Sequence, residues 1–155
     1  MPKETERKFL VKSDFKPYSH RVTKIKQGYL NSTPERTVRV RLCDKKGFLT
    51  IKGIGNLSGL SRYEWETEIT EDDALLMLEM CESGKIEKNR YLVKSGHHTF
   101  EIDEFLGLNQ GLLIAEIELS EEDELFEKPE WLGEEVSNQP KYFNSALSKK
   151  PYSSW

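Results

Sequence analysis

Along most of this chain, charged and apolar residues alternate one for one. Thr37-Val38-Arg39-Val40-Arg41-Leu42 is the clearest stretch. In an extended strand successive side chains point to opposite faces, so Arg39 and Arg41 share one face and Val38, Val40 and Leu42 the other. The same period of two predicts eight strands, over residues 3–11, 22–30, 36–42, 48–53, 62–69, 86–93, 99–105 and 112–119. Asn31-Ser32-Thr33-Pro34 reads as a turn, and Asp44-Lys45-Lys46-Gly47 and Ser95-Gly96 as hairpin turns. The pattern changes to a helical one after Thr70-Glu71-Asp72-Asp73, where Thr70 is placed to cap a helix to about Cys81 with Leu75, Leu78 and Met77 as its apolar stripe. A short helix is predicted from Ser120-Glu121-Glu122-Asp123, and a terminal helix over 138–149 with Pro140 in its first turn. The segment 13–20, containing Pro17, reads as an irregular or helical link. Gly53 to Gly59 reads as a mobile loop, 107–111 as a loop, and the stretch around Pro129, Trp131 and Gly133 as a linker.

Short connections between most strands predict antiparallel pairing. The fold class expected is α+β, mainly β. The charged faces are the unusual part. Glu4, Glu6 and Lys8 share a face near the start of the chain, with Thr5, Arg7 and Phe9 on the other. Two carboxylates so spaced lie ~7 Å apart and repel by roughly 2 kcal/mol at an effective dielectric of ~20. They therefore need either solvent or a cation. Glu64 and Glu66, Asp103, and Glu116 and Glu118 extend the acidic set; Arg39 and Arg41, Lys52, and Lys88 and Arg90 extend the basic one. An antiparallel sheet commonly has one wet face, but charged pairs on nearly every strand, each backed by bulky apolar residues, point to closure. In a closed eight-stranded antiparallel barrel the charges line a tunnel with room for one small ligand, and flanking helices cover the apolar outside. Burial of so many charges demands compensation. Segregation of the signs by strand suits a cation and a polyanion held together: carboxylates take hard cations such as Mg²⁺ or Mn²⁺, and arginine forks and lysines take phosphate.

Composition fits this picture. The 155 residues are read as one domain, 1–155. Only 36% are hydrophobic and 32% are charged, as an internal polar surface requires, while 10% aromatics and regular patterning exclude a disordered chain. A net charge of −4 gives nucleic acid no global attraction. No apolar run of about 18 residues is present to span a membrane, and the N-terminus lacks the apolar core of a signal peptide. Cys43 and Cys81 match no metal or redox spacing and read as reduced thiols of a cytoplasmic protein. His20, His97 and His98 have no visible triad partners and read as solvated.

Glu4-x-Glu6-x-Lys8, followed in order by Arg39 with Arg41, Lys52, Glu64 with Glu66, Lys88 with Arg90, Asp103, and Glu116 with Glu118, resembles the CYTH domain, or triphosphate tunnel metalloenzyme, family over essentially the whole chain. Tyr142-Phe143-Asn144-Ser145 is similar to that family's C-terminal helix. The resemblance implies an antiparallel eight-stranded tunnel that binds triphosphates with basic residues and a divalent metal, Mg²⁺ or Mn²⁺, with acidic ones. Many bacterial relatives of this size hydrolyse inorganic tripolyphosphate; others form cyclic AMP or act on thiamine triphosphate or RNA 5′-triphosphate ends.

Carried over position by position, the resemblance implies Lys8, Arg39, Arg41, Lys52, Lys88 and Arg90 as substrate-binding residues. Glu4, Glu6, Glu64, Glu66, Asp103, Glu116 and Glu118 are the implied metal-binding residues, and Glu4, Glu6, Lys8, Lys88 and Arg90 the implied catalytic group. The expected reaction is metal-assisted transfer of a phosphoryl group to water. The rivals are adenylate cyclase and a non-catalytic polyphosphate- or nucleotide-binding module. A homodimer is compatible with the chain. One departure stands out: Phe143 occupies a place where relatives often carry a basic residue or tyrosine, leaving Lys141 as the nearest substitute. Tyr29 either narrows the tunnel or packs in the core, depending on whether Gln27-Gly28 bulges. Glu68, Glu101, Arg36 and Arg62 are read as solvated, and Trp65 and Ile117 as packing.

Overall fold

The protein is described by a computed structural model covering residues 3–155. Its strands are β1 (Lys3–Val11), β2 (Ser19–Asn31), β3 (Arg36–Cys43), β4 (Lys46–Gly55), β5 (Ser61–Ile69), β6 (Ile86–Ser95), β7 (His98–Phe105), β8 (Leu113–Glu118) and β9 (Leu132–Glu135), with helices α1 (Glu71–Glu79) and α2 (Asn144–Leu147). The sheet runs β5-β4-β3-β2-β6-β7-β8-β1, and β1 pairs back to β5, closing eight strands into a barrel. Every pairing is antiparallel. β1 makes the closure because it changes partner along its length: Thr5 faces Ser61 of β5, whereas Glu6 to Leu10 face Glu118 to Ile114 of β8.

The outward phase of each strand is apolar and must be covered. Phe15, Trp131 and Leu132, with Phe126, lie over Phe9, Val93, Phe100, Ile102, Ala115 and Ile117. The Phe100 and Trp131 rings meet edge to face at 5.1 Å, the geometry aromatic quadrupoles favour. On another side α1 lays Ala74 and Leu78 on Val40, with Leu42, Leu49 and Ile69 around them. Thr70 caps α1 as predicted, its hydroxyl accepting from the Asp73 N–H at 3.1 Å. The third apolar cluster has a different position. Leu10, Ile86, Phe105 and Ile114 lie on the inward phase of their strands, and Leu147 of α2 packs on them with Leu112. They form an apolar floor at one end of the barrel interior.

Several expectations need correction. The segment read as a linker contains β9, whose Leu132 and Glu135 pair with Val11 and Phe9 of β1. No helix forms after Ser120, where a single turn is closed by Glu124 N–H on the Glu121 carbonyl. The terminal helix is broken: Phe143 is extended at φ −71°, ψ 140°, and separates a 3₁₀ turn at Pro140–Tyr142 from α2. The α1 stripe uses Ala74 and Leu78, four apart, while Leu75 is 45% exposed. Trp65 is not core packing but 42% exposed on the barrel exterior. The glycine segment 53–59 is largely ordered structure, since β4 continues to Gly55 and the hairpin is tied by Glu122, which accepts from Asn56 and from the Ser58 and Ser61 hydroxyls. Among the described residues no helix is long and apolar enough to cross a membrane.

Candidate active site

The inward phase of the strands encloses a cavity of about 740 Å³. Its wall is built from alternate residues: Glu4, Glu6 and Lys8 of β1, Arg39 and Arg41 of β3, Thr50 and Lys52 of β4, Arg62, Glu64 and Glu66 of β5, Arg90 of β6, Glu101 of β7, and Glu116 and Glu118 of β8. Register explains the juxtapositions. Lys52 lies opposite Glu64 and Arg39 opposite Thr50 on neighbouring strands, and Lys8 lies opposite Glu116.

The charges fall into three groups. In the first, Lys52 Nζ donates to both oxygens of Glu4 at 2.8 and 2.9 Å, with Glu64 at 3.9 Å and the Arg62 guanidinium 3.6 Å from Glu4. In the second, Lys8 lies 3.2 Å from Glu6 and 3.2 Å from Glu116. Burial pushes the Glu4 and Glu6 carboxyls up, but the facing lysines outweigh it and hold both down at about 2. In the third, Arg90 forks onto both oxygens of Asp103 at 2.8 and 2.9 Å and reaches Glu101 at 2.9 Å. Lys88 Nζ lies 2.7 Å from Asp103. Burial drives the Lys88 ammonium down to about 8 against the pull of Asp103.

Two features are not compensated. Arg39 and Arg41 project side by side with little to neutralise them. Among the described residues, Arg39 donates only to the Thr50 hydroxyl, at 3.4 Å, and Arg41 only to Glu66, at 3.3 Å. The buried Nε of each has no hydrogen-bond partner among the described residues. Burial and the neighbouring Arg39 and Arg90 lower Arg41 to about 10. Unpaired buried donors of this kind are costly unless a ligand supplies the acceptor. On the acidic side, burial and the adjacent Glu4 carboxylate push Glu64 up to about 7, and burial with Glu4, Glu101 and Glu6 nearby raises Glu118. In both carboxyls burial and the neighbouring carboxylates outweigh the pull of Lys52.

Glu64 gives a pH signature. Its folded pKa lies above that of the unfolded chain, so its contribution to stability is present in full below about 4.5 and lost as pH rises through about 7. In chelator, Glu64→Gln is expected to unfold at a higher temperature than the wild type at pH 8 and at the same temperature near pH 4. Calorimetric scans at both pH values check this; equal transitions at pH 8 would refute it.

Most residues singled out in the sequence line the cavity, but two do not. Lys88 and Asp103 are absent from its wall and are almost fully buried, at 1% exposure each. They sit on the apolar floor, Lys88 Nζ lying 5.4 Å from the Phe105 ring. Conversely, Arg62 and Glu101, read as solvated, are in the wall, whereas Glu68 and Arg36 are exposed. The Arg62 parity with Glu64 and Glu66 could have revealed it. Tyr29 lines the cavity: the register shift falls after it, between Tyr29 and Asn31. Gly28 turns the other way, where a Cβ would lie 2.9 Å from Cys81 Cβ. Lys141 stacks on Trp155, 4.6 Å from its ring centroid, away from the cavity; Lys149, which sequence reasoning missed, lines it instead. Phe143 also lines it, with Lys8 Nζ 5.8 Å from its ring.

Among the described residues, no three His, Cys, Asp or Glu side chains converge closely enough to hold an ion unaided. The donors fit a hard cation in another way. Mg²⁺ keeps several waters and is commonly held by one or two carboxylates together with substrate phosphates. Glu64 and Glu118, beside Glu4, Glu6 and Glu116, would supply such carboxylates in a wall that also carries Arg39, Arg41 and Arg90.

Comparison with known proteins agrees with this geometry. The CYTH domain profile matches residues 2–152. The chain is 46% identical over 153 residues to an inorganic triphosphatase of Acetivibrio thermocellus, covering 98% of this chain and 97% of that one. It is 36% identical over 150 residues to an inorganic triphosphatase of Nitrosomonas europaea, covering 94% and 96%. The crystal structure of the inorganic triphosphatase NE1496 superposes with a TM-score of 0.67 at 33% identity, covering 94% of this chain and 97% of that one.

Proposed function

Because this chain belongs to the CYTH domain family, we propose that it is a metal-dependent triphosphatase that hydrolyses inorganic tripolyphosphate to pyrophosphate and phosphate inside its charged tunnel. The observation that carries this reading is the pair Arg39 and Arg41, whose buried Nε donors have no partner among the described residues and which phosphate oxygens would satisfy. The two inorganic triphosphatases that cover nearly the full chain support the choice of substrate.

Arg39, Arg41 and Arg90, with Lys8 and Lys52, bind the phosphate oxygens and stabilise the charge that spreads over the transferring group and the leaving pyrophosphate. Lys88 acts from beneath, through Arg90 and Asp103, and Asp103 serves as their counter-ion rather than as a metal ligand, because two cations already occupy its oxygens. Glu4, Glu6, Glu64, Glu116 and Glu118, with Glu66 at the edge of the set, would hold Mg²⁺ or Mn²⁺, which when bound neutralises phosphate charge and polarises the phosphoryl group. Glu4 and Glu6, held ionised at about 2, are weak bases. They orient the attacking water by accepting its hydrogen bond, which suits a loose transition state that needs little proton abstraction. Free Cys43 and Cys81, of a kind usual in reducing compartments, support action in the cytoplasm.

The test is one substrate panel at equal free metal, measuring phosphate, pyrophosphate and cyclic AMP from tripolyphosphate and ATP. The expected result is a higher kcat/KM for tripolyphosphate, with ATP, if used, giving ADP and phosphate. The charged wall offers phosphates many contacts, whereas a nucleobase at the hairpin lip of Ile54, Gly55, Asn56 and Gly59 meets no rigid apolar pocket. A tenfold preference for ATP, or cyclic AMP as main product, would move the cyclase to first place. Binding without release of any product would leave a binding module.

A further inference from the structure

We propose that Asn144 is a substrate contact on the tunnel floor: its side-chain amide nitrogen donates a hydrogen bond to a phosphate oxygen while its carbonyl oxygen holds Lys88. The inference rests on the triphosphate reading above and adds an amide donor beside the arginines and lysines of the wall.

The orientation of the amide follows from hydrogen bonding. Asn144 Oδ1 accepts from Lys88 Nζ at 3.0 Å and from Gln27 Nε2 at 3.3 Å. An asparagine's oxygen and nitrogen are usually hard to tell apart and are assigned from their partners. Here the partner decides, because a lysine ammonium only donates; the atom facing Lys88 must be the oxygen. Lys88 and Gln27 are both buried and neither lines the cavity, whereas Asn144 does. The two heteroatoms of a planar amide diverge from one carbon. With the oxygen turned down onto Lys88 and Gln27, the nitrogen is turned away from them, on the side where Asn144 meets the cavity. Among the described residues it donates to no protein acceptor, which leaves it free to donate to a phosphate oxygen that enters the cavity.

The break at Phe143 makes this placement possible. Its extended backbone ends the 3₁₀ turn and starts α2 afresh at Asn144, while Leu147 anchors the new turn in the apolar floor. A continuous helix over this stretch would carry position 144 differently. Seated on the floor, a directional donor defines how deep a phosphate chain can go, which arginines and lysines grouped along the walls define less sharply.

The experiment is calorimetric titration into wild type, Asn144→Asp, Asn144→Ala and the more shape-conserving Asn144→Leu. It uses the imido-bridged analogue of tripolyphosphate, which resists hydrolysis, in saturating Mg²⁺, so that no turnover intervenes and the wall carboxylates do not repel the ligand, with the unfolding temperature of each protein measured alongside. Asp keeps an oxygen for Lys88 but loses the donor and adds charge; Ala and Leu lose both atoms. The expected result is that Asp, and whichever of Ala or Leu folds, all bind at least about tenfold more weakly, the contribution of one hydrogen bond to a charged oxygen, with unfolding temperatures within a few degrees of wild type. Weak binding by Ala and Leu but not Asp would mean that only the hold on Lys88 matters, and would overturn the contact. Weak binding by Asp alone would reduce the effect to added charge, and would overturn it equally. Failure of the wild type to hydrolyse tripolyphosphate with metal would instead refute the functional reading, which this binding comparison does not measure.

Discussion

Arg41→Ala is expected to lower kcat/KM for tripolyphosphate about a hundredfold or more without lowering the unfolding temperature, and Arg39→Ala to behave alike. A guanidinium bound to phosphate commonly makes two parallel charge-assisted bonds, each worth about 1.5–3 kcal/mol; loss of both is at least about two decades of rate. The stability half follows from what these side chains lack. Arg41 is pushed down to about 10 by burial, Arg39 and Arg90, and the buried Nε atoms of Arg39 and Arg41 have no partner among the described residues. Removing either relieves like-charge repulsion and an unsatisfied donor, so the variant should melt at the wild-type temperature or above it. Arg7→Ala is the control. Arg7 lies outside the tunnel, forked onto Glu135, so its loss should lower stability and leave kinetics intact. If Arg41→Ala instead melts early and keeps its kinetics, the arginine pair is a structural ion cluster.

Chelation is expected to abolish hydrolysis, and Mg²⁺ or Mn²⁺ to restore it. The acidic wall holds Glu4, Glu6, Glu64, Glu116 and Glu118, against which Lys8 and Lys52 are the lysines within ion-pair distance. Each carboxylate approached to ~5 Å by a phosphate oxygen costs roughly 3 kcal/mol at an effective dielectric of ~20. Together these terms are large enough to keep a tripolyphosphate from its productive position until a cation is shared between carboxylates and phosphate. Glu116→Gln should weaken metal use, read as a higher Mg²⁺ concentration for half-maximal rate, and leave the fold intact. Full activity in excess EDTA would sink the metal assignment.

Period-two alternation is a local property, and it was enough to place eight strands, their antiparallel pairing and the inward face that carries Glu4, Glu6, Lys8, Arg39, Arg41, Lys52, Glu64, Glu66, Arg90, Glu116 and Glu118. A one-residue slip would turn every one of these charges into the apolar cover, so the hydrophobic pattern specifies register strongly. The Thr70 cap was legible for the same reason, since its partner lies three residues away.

What the chain could not show locally depends on distant partners. β9 is four residues long and forms because the β1 edge beyond Phe9 offers it backbone groups. The terminal helix breaks at Phe143 because Leu147 is drawn into a floor made by residues 10, 86, 105, 112 and 114. Lys88 and Arg90 have the same parity, and so do Asp103 and Glu101, yet only Arg90 and Glu101 reach the cavity. How far along the tunnel a residue sits depends on the stagger of neighbouring strands and on where the floor closes, and neither is written in alternation. Arg62 was misjudged for the converse reason: it lies near the start of β5, but β1 crosses there to close the barrel and brings Glu4 within 3.6 Å. Which face a side chain takes is decided by its neighbours in sequence; how deep it lies, and against which charge, is decided by the closure of the sheet.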